Sequence, residues 1–235
     1  MTDIHSHLLY GTDDGTKTLD ESIDILRDMK NVGYENVIIT PHYIKDSKYK
    51  SSRKENLEKL EIMRMVLLEN NIDINIYLGN EIFIDEDIYK LLQSNIISPL
   101  NDTNYLLIEI PLSGIYDDYI DIFKDLIENG YNIILAHPER YLAFQDDFNK
   151  IYELEKLGVY FQSNIDSITG RYGEKAQKMI KRLLKEKKIA FLATDIHHKK
   201  HDYRKWELAK KIALKYISEK EYDLLVNKNP SQLID

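Results

Sequence analysis

Short apolar runs separated by amphipathic segments make up most of this chain. Seven of the runs are rich in Ile, Leu and Val and predict buried strands, at residues 4–8, 37–40, 74–78, 105–109, 133–136, 159–163 and 190–194. Most of the segments between them place apolar residues at helical spacing. Capping-box patterns at Thr18 to Glu21 and Ser52 to Glu55 predict two helix starts, and Gly33 and Gly130 follow predicted helices as terminating residues. Further helices are predicted over about residues 86–93, 116–128, 148–157, 176–187, 203–216 and 219–226.

Apolar strands that alternate with helices are typical of a parallel sheet with helices on both faces, which predicts the α/β class. The periodicity alone does not separate an open sheet from a closed barrel. Seven units within 235 residues favour the barrel. Because the chain contains no Gly/Ser/Pro-rich linker, no break in composition and no short repeat, we expect residues 1–235 to form one domain.

Composition excludes several classes of protein. The chain has no cysteine, so disulfides, thiolate metal sites and cysteine nucleophiles are absent from its chemistry. A formal net charge of −8 disfavours a nucleic-acid partner, because phosphate backbones attract basic surfaces. We see no apolar run of the length that a membrane span needs and no signal-peptide pattern at the start. The sequence therefore predicts a cytoplasmic protein.

Histidines and carboxylates cluster where the predicted strands end. In a βα barrel, the active site is built at the carboxyl ends of the strands. Residues at or just past these ends are His5, His42, Glu81, Glu109, His137 and Asp195. His7 and His197 each follow a ligand-type residue by two positions, a spacing that in a strand directs both side chains to one face. The loop after the first strand adds the carboxylates of Asp13 and Asp14, which are followed by Gly15.

Each of these motifs alone has an ordinary structural explanation, such as a turn or a helix cap, but their joint placement predicts a metal site. Nitrogen and oxygen ligands without sulfur suit Mn, Fe, Zn or Co. The candidate ligands exceed what one ion binds, which favours two or three ions that share bridging carboxylates. Three divalent ions with four carboxylates would carry a charge of about +2, so we expect the site to bind a phosphate oxyanion.

The order of these motifs resembles the polymerase-and-histidinol-phosphatase (PHP) family. Within it, the chain is most similar to the bacterial manganese-dependent protein-tyrosine phosphatases of capsule and exopolysaccharide operons. The resemblance rests on the opening His5-Ser-His7 and Asp13-Asp14-Gly15, and on later motifs at residues 40–42, 79–82, 107–109, 136–141, 162–164, 172–175, 194–197 and 229–230. The run His137-Pro-Glu-Arg-Tyr141 is fairly specific to the phosphatase branch.

This resemblance implies a distorted (β/α)7 barrel of the PHP superfamily that binds three ions, with Mn²⁺ expected and Fe, Co or Zn as alternatives. It implies the following ligands: His5, His7 and Asp195 for the first ion; Glu81 as a bridge to the second, with Glu109 and His137; Asp14, His42 and His197 for the third. Arg140 matches an arginine that binds the phosphate. Arg204 is the candidate for a second such arginine, although the segment before it is longer and more basic than the family pattern.

The implied activity is hydrolysis of phosphotyrosine on a cognate bacterial tyrosine kinase, which would regulate capsule or exopolysaccharide synthesis. Two alternatives remain open from the sequence. One is a small-molecule phosphatase similar to histidinol-phosphate phosphatase, and the other is a PHP nuclease or a non-catalytic metal-binding module. The length and the His137 to Tyr141 run favour the tyrosine phosphatase. The oligomeric state is not predicted.

Overall fold

Parallel strands alternate with helices along the chain, as the apolar runs predict. The computed structural model describes residues 1–113, 119–198 and 204–234, with side chains from residue 206 onward in the last segment. The strands are β1 (Thr2–Asp3), β2 (Asn36–Ile39), β3 (His42–Tyr43), β4 (Asn75–Leu78), β5 (Glu81–Phe83), β6 (Tyr105–Glu109), β7 (Asn132–Ala136), β8 (Tyr160–Asn164) and β9 (Phe191–Ala193). All the pairings between them are parallel.

The helices mostly follow the predicted segments. They are α1 (Leu19–Asn31), α2 (Arg53–Glu69), α3 (Ile88–Gln93), α4 (Ile120–Glu128), α5 (Leu142–Asp146), α6 (Asn149–Leu157), α7 (Ile165–Ile168), α8 (Glu174–Lys185), α9 (Arg204–Ala213), α10 (Glu219–Asp223) and α11 (Asn229–Ser231). The short helices α5, α7 and α11 are not predicted from the sequence. The predicted start of α4 at residues 116–118 lies outside the described residues. Within the described part of the chain, every helix is too short or too polar to cross a bilayer.

Two strands are interrupted, and the interruptions shape the site. The order β1-β2-β4 forms one sheet and β3-β5-β6-β7-β8-β9 another, but β3 continues the path of β2 and β5 that of β4. Pro41 lacks the N–H that a continuous ladder would use. Asn80 repairs the gap, because its Nδ2 donates to Pro41 O at 2.9 Å and its Oδ1 accepts from Ser98 N at 2.8 Å. The strands resume at His42 and Glu81, which are paired in register.

The first and last strands meet and close the barrel. Ser6 forms a parallel bridge with Ile196, His7 N donates to Ile196 O and Asp195 N donates to His5 O, both at 2.9 Å. The interrupted strands then count as seven in a closed ring, which confirms the predicted barrel. The predicted bounds of the first strand, residues 4–8, were wrong: β1 comprises Thr2–Asp3, and Ser6 continues the pairing only as an isolated bridge to Ile196.

The barrel interior is apolar at one end and polar at the other. Alternate strand residues point inward. A buried apolar cluster fills the barrel interior below the carboxyl ends of the strands, that is, before the ligands in strand order. It comprises Ile4, Ile38, Leu100, Leu107, Ile134, Ala136, Phe191, Ala193 and Leu233. The residues between them on the strands, such as Ile108 and Leu192, pack against the helices instead. Two positions beyond Leu107 and Ala193 come Glu109 and Asp195, so the same inward-facing rows that form the core lead into the ligands.

Candidate metal centre

All nine predicted ligands gather at the carboxyl ends of the strands, and seven of them form three overlapping groups. The first group comprises His5, His7 and Glu81, the second His42, Glu81 and Glu109, and the third His7, Asp14, His42 and His197. Within each group the possible ligand atoms lie within 4.8 Å of one another. Asp195 and His137 adjoin the groups through their contacts with His5 and Glu81.

The first group has the spacing of a coordination shell. Nε2 of His5 and Nε2 of His7 lie 3.2 Å apart, and each lies 3.2 Å from Glu81 Oε2. Asp195 Oδ1 is 3.5 Å from the first nitrogen and 3.4 Å from the second. Ligand atoms held at about 2.0–2.2 Å around one divalent ion are separated by roughly 3.0–3.5 Å in tetrahedral or octahedral shells. These four side chains therefore fit one ion.

Glu81 connects the first group to the second through its two oxygens. Oε2 faces His5 and His7, whereas Oε1 lies 3.0 Å from His137 Nε2. That same nitrogen is 3.7 Å from Glu109 Oε1. Because Oε1 contacts His137 while Oε2 contacts His5 and His7, Glu81 has the geometry of a bridging carboxylate.

The third group is the most open of the three. Asp14 Oδ1 lies 3.6 Å from His42 Nε2 and 3.5 Å from His197 Nε2. The rings of His7 and His197 are stacked, with centroids 4.0 Å apart. His42 also connects two groups, because its Nδ1 lies 3.0 Å from Glu81 Oε2 without making a hydrogen bond among the described residues. A buried imidazole nitrogen without a hydrogen bond is what a metal ligand presents before it binds.

Two of the predicted ligands lie on left-handed backbone, His137 directly after β7 and Asp195 two residues after β9. His137 has φ of 34° and Asp195 has φ of 52°. Such a conformation costs a non-glycine residue roughly 1–3 kcal/mol, and conformations of this kind are concentrated at functional sites. The turn at His137 leads into a 3₁₀ segment, Pro138–Arg140, which directs Arg140 toward the ligands. Arg140 Nη1 lies 3.4 Å from Asp195 Oδ2, and its guanidinium stacks on Tyr172 at 4.7 Å from the ring centroid.

Burial and mutual charge displace the pKa values of the ligands. Burial alone would lower the pKa of His5, but the carboxylates of Glu81 and Asp195 outweigh it and raise the pKa to about 9. Burial, together with the charge of Glu81, raises the pKa of Glu109 to about 8. Burial lowers the pKa of His137 to about 4. Without cations, the cluster thus retains protons on some groups, and divalent ions would replace these protons.

Sequence reasoning missed the residues behind the ligands. Asp13, noted only as an additional carboxylate, is buried, and its Oδ2 lies 2.7 Å from His7 Nδ1 and accepts from His42 N at 2.8 Å. Gln162 and Asn164 contact His5 and Asp195 in the same way. Their strand spacing at the end of β8 is a signal that sequence analysis can use, because it places both amides on the inward face.

The ligands border a cavity of about 370 Å³. Its lining combines the charged Arg140 with apolar or aromatic side chains, namely Ile44, Tyr49, Phe83 and Tyr172. His198, the residue after the last predicted ligand, also lines the cavity and is exposed. Arg204 is the first residue of α9, but its side chain lies outside the described residues, and His201 lies outside them altogether.

The donor set fits divalent transition ions. Five imidazoles and four carboxylates converge on this end of the barrel, and the buried Nδ1 atoms of His42 and His137 have no hydrogen-bond partner among the described residues. Mixed nitrogen and oxygen donors of this kind bind Mn, Fe, Co or Zn.

Comparison with known proteins places this arrangement in a known group. Tyrosine-protein phosphatase YwqE of Bacillus subtilis is 30% identical over 200 residues, which cover 85% of this chain and 78% of YwqE. Tyrosine-protein phosphatase CpsB of Streptococcus pneumoniae is 29% identical, with 100% of this chain and 98% of CpsB covered. A chain from the solved structures of YwqE and CpsB, described as metal-dependent tyrosine phosphatases, superposes with a TM-score of 0.91 at 30% identity, covering 100% of this chain and 94% of that chain.

More distant structures share the fold alone. Histidinol phosphate phosphatase from Lactococcus lactis superposes with a TM-score of 0.60 at 17% identity, over 92% of this chain and 93% of that chain. The sequence profile described as "Capsular polysaccharide synthesis, CpsB/CapC" matches residues 1–235. With a profile match along its whole length and a relative at 30% identity, the chain belongs to the CpsB/CapC family.

Proposed function

We propose that this protein is a manganese-dependent protein-tyrosine phosphatase. The observation that carries the proposal is the bridging geometry of Glu81, which joins two ligand groups beside Arg140 in a chain of the CpsB/CapC family. We assign the ions as the resemblance implies: His5, His7 and Asp195 to the first, Glu109 and His137 to the second, and Asp14, His42 and His197 to the third. Glu81 bridges the first two.

The chain supplies positioning and charge for hydrolysis of a phosphomonoester. When bound, the ions supply a water of lowered pKa and neutralise charge on the phosphoryl group. Arg140 binds phosphoryl oxygens with its planar, two-pronged donor group, and Tyr172 keeps that group in place by stacking. Since the chain contains no cysteine, it forms no cysteinyl phosphoenzyme. Arg204 is proposed as a second phosphate-binding residue at the start of α9.

The cavity lining favours an aryl phosphate over an alkyl one. Ile44, Tyr49 and Phe83 are partly exposed in the cavity and present apolar surface near the ligands. Tyr49 is further held by its stacking on His42, with ring centroids 6.2 Å apart. We infer that the phenyl ring of phosphotyrosine lies against these side chains while its phosphate reaches the ions. The biological substrate would be a phosphotyrosine-bearing bacterial tyrosine kinase in the cytoplasm.

A substrate comparison tests the proposal. Protein stripped by a chelator is reloaded with Mn²⁺ and assayed on a phosphotyrosine peptide, on histidinol phosphate and on single-stranded DNA. We expect turnover of the peptide that requires Mn²⁺ and that withstands a thiol alkylator. Preference for histidinol phosphate would indicate the small-molecule phosphatase, cleavage of DNA would indicate the nuclease, and turnover without divalent ions would refute the metal mechanism.

A further inference from the structure

Behind the first ligand group, two buried amides link His5 to Asp195. Gln162 Oε1 lies 2.9 Å from His5 Nδ1, and Gln162 Nε2 donates to Asn164 Oδ1 at 2.9 Å. Asn164 Nδ2 then donates to Asp195 Oδ2 at 2.6 Å. Both amide side chains are fully buried, so no solvent competes for these hydrogen bonds. We call the hydrogen-bonded pair of Gln162 and Asn164 the amide chain.

The direction of the amide chain is fixed by its end at Asp195. An ionised carboxylate only accepts hydrogen bonds, so Asn164 must turn its NH₂ group toward Asp195. Its oxygen is then left for Gln162, which must present its own NH₂ group. The oxygen of Gln162 therefore faces His5, and only a protonated Nδ1 can donate to it.

Reversal of the amide chain would place acceptors against acceptors. If Asn164 were turned over, its oxygen would lie against Asp195 Oδ2 at the short distance that the hydrogen bond now occupies. Asn164 is also fixed from behind, because its backbone N–H donates to Glu139 Oε1 at 2.9 Å. Ser167 Oγ donates to the same oxygen and holds the buried Glu139 in place.

We propose that Gln162 and Asn164 are positioning residues that use the carboxylate of Asp195 to fix His5 in the tautomer with Nδ1 protonated. The proton that His5 gives up to an arriving ion is then the one on Nε2, and it is this atom that lies 3.2 Å from His7 Nε2 and from Glu81 Oε2. The amide chain thus prepares one ligand by means of another before any ion is bound. The inference rests on the metal centre proposed above, but it does not depend on the identity of the substrate.

His7 provides a comparison within the same group. Its Nδ1 lies 2.7 Å from the carboxylate of Asp13, the more direct partner that metal-binding histidines often have. His5 contacts the neutral amide of Gln162 instead. The orientation of that amide is set, through Asn164, by the carboxylate of Asp195. Both arrangements direct Nε2 to the same point, and both therefore serve the same ion.

Three variants of the amide chain test the proposal. Gln162→Met and Asn164→Leu keep approximate volume but remove the hydrogen bonds of the amide chain. Gln162→Glu keeps an acceptor for His5 and replaces the donor to Asn164 with a second acceptor. Ser163→Ala is the matched control, because Ser163 is buried on the opposite face of the same strand. Mn²⁺ affinity is measured by competition with a chelating dye, and circular dichroism verifies that each variant is folded.

We expect Gln162→Met and Asn164→Leu each to weaken Mn²⁺ binding by about 10- to 100-fold, the usual effect of removing a partner of a metal-binding histidine. The double variant should bind Mn²⁺ only slightly more weakly than either single variant, because the amide chain acts as one hydrogen-bonded unit. Gln162→Glu and Ser163→Ala should bind Mn²⁺ within about threefold of wild type, since both keep an acceptor for His5. Unchanged affinity in Gln162→Met would overturn the proposal, as would equal losses in Gln162→Glu and Gln162→Met.

A spectroscopic measurement reads the tautomer itself. In the Zn²⁺-loaded protein, ¹⁵N nuclear magnetic resonance of the histidine rings should place the proton of His5 on Nδ1 in wild type and in Gln162→Glu. A proton on Nε2 in wild type would refute the proposal. Because neither measurement uses phosphotyrosine, a failure here is distinguishable from a failure of the proposed phosphatase activity.

Discussion

At the scale of single residues, Glu81 contacts four histidines of the centre through its two oxygens. It is almost fully buried, and the nearby histidines hold its pKa well below the usual value against the opposing effect of burial. Glu81→Gln keeps the shape but removes the charge that two ions would share. We expect it to lose at least one ion per chain by elemental analysis and at least about 100-fold in kcat.

The exposed Glu86→Gln, five residues along the chain, is the control for Glu81→Gln and should match wild type in both measurements. Near-normal turnover in Glu81→Gln would show that the bridging assignment is wrong.

The variant Arg140→Lys tests whether phosphate binding can be weakened while metal binding is kept. Arg140→Lys keeps a positive charge beside Asp195 but loses the planar pair of donors. We expect kcat/KM on a phosphotyrosine peptide to fall by the equivalent of about 2–4 kcal/mol, with metal content unchanged. Arg27→Lys, at a surface pair with Asp24, is the control. Loss of metal in Arg140→Lys would instead assign Arg140 a role in holding Asp195.

The variant Phe83→Ala tests whether the cavity recognises the aromatic ring of the substrate. Phe83→Ala removes apolar surface at the end of β5 without removing a ligand. Since a contact of this kind is worth about 1–3 kcal/mol, we expect kcat/KM to fall about 5- to 150-fold for aryl phosphates and much less for alkyl phosphates. Equal losses on both substrate classes would place the ring elsewhere in the cavity.

At the scale of elements, the loop that carries Asp13 and Asp14 is shaped by a glycine. A Cβ atom at Gly15 would lie 2.0 Å from His7 O and 2.6 Å from His7 Cβ, so the loop backbone packs directly on a ligand residue. Gly15→Ala must therefore move either the loop or His7. We expect a loss of about 1–3 kcal/mol in unfolding free energy, as overpacking usually costs, together with weaker Mn²⁺ binding.

Gly158→Ala is the contrasting variant, because nothing lies within 4 Å of a Cβ atom built there. It should show only the cost of its left-handed backbone and no change in metal affinity. Normal Mn²⁺ binding in Gly15→Ala would mean that the loop yields without disturbing His7.

The elements also show what the sequence can and cannot predict. Apolar runs place the strands well, because burial on two faces leaves a strong signal at residues such as those of β6 and β7. The positions of the ligands at strand ends follow from the same pattern. The breaks at Pro41 and Gly79 are harder to foresee, because hydrogen bonds from Asn80 repair them across the barrel. The roles of Asp13 and Gln162 likewise depend on three-dimensional contacts that residue types do not specify.

At the scale of the whole molecule, the acidic chain concentrates both protons and carboxylates at one end of the barrel. His5, with its pKa raised to about 9, and Glu109, with its pKa raised to about 8, both retain a proton at pH 7 when no ion is bound. Coordination requires both groups to be deprotonated. Mn²⁺ binding at pH 7 should therefore release about two protons per chain from these two groups, besides the proton of His7, whose pKa is also raised well above the usual value by Asp13. Affinity should rise as pH increases toward 9.

Isothermal titration calorimetry in buffers of different ionisation enthalpy measures this release. The His5→Gln variant should release fewer protons than wild type, because one of the two groups is gone. Binding enthalpy that is independent of the buffer would show that neither group is protonated in the metal-free protein.

The closure of the barrel has a consequence for how the protein reaches its native state. The side chain of Asp3 accepts from Thr194, 191 positions away in the chain, and the bridge between Ser6 and Ile196 lies beside it. Contacts between such distant segments form late, because the entropy of closing a large loop is paid before they stabilise anything. During synthesis on the ribosome, His5 and His7 emerge long before Asp195. The nascent chain therefore lacks one of the proposed ligands of the first ion until almost all of it has been made, and we expect metal capture to be one of its last folding events.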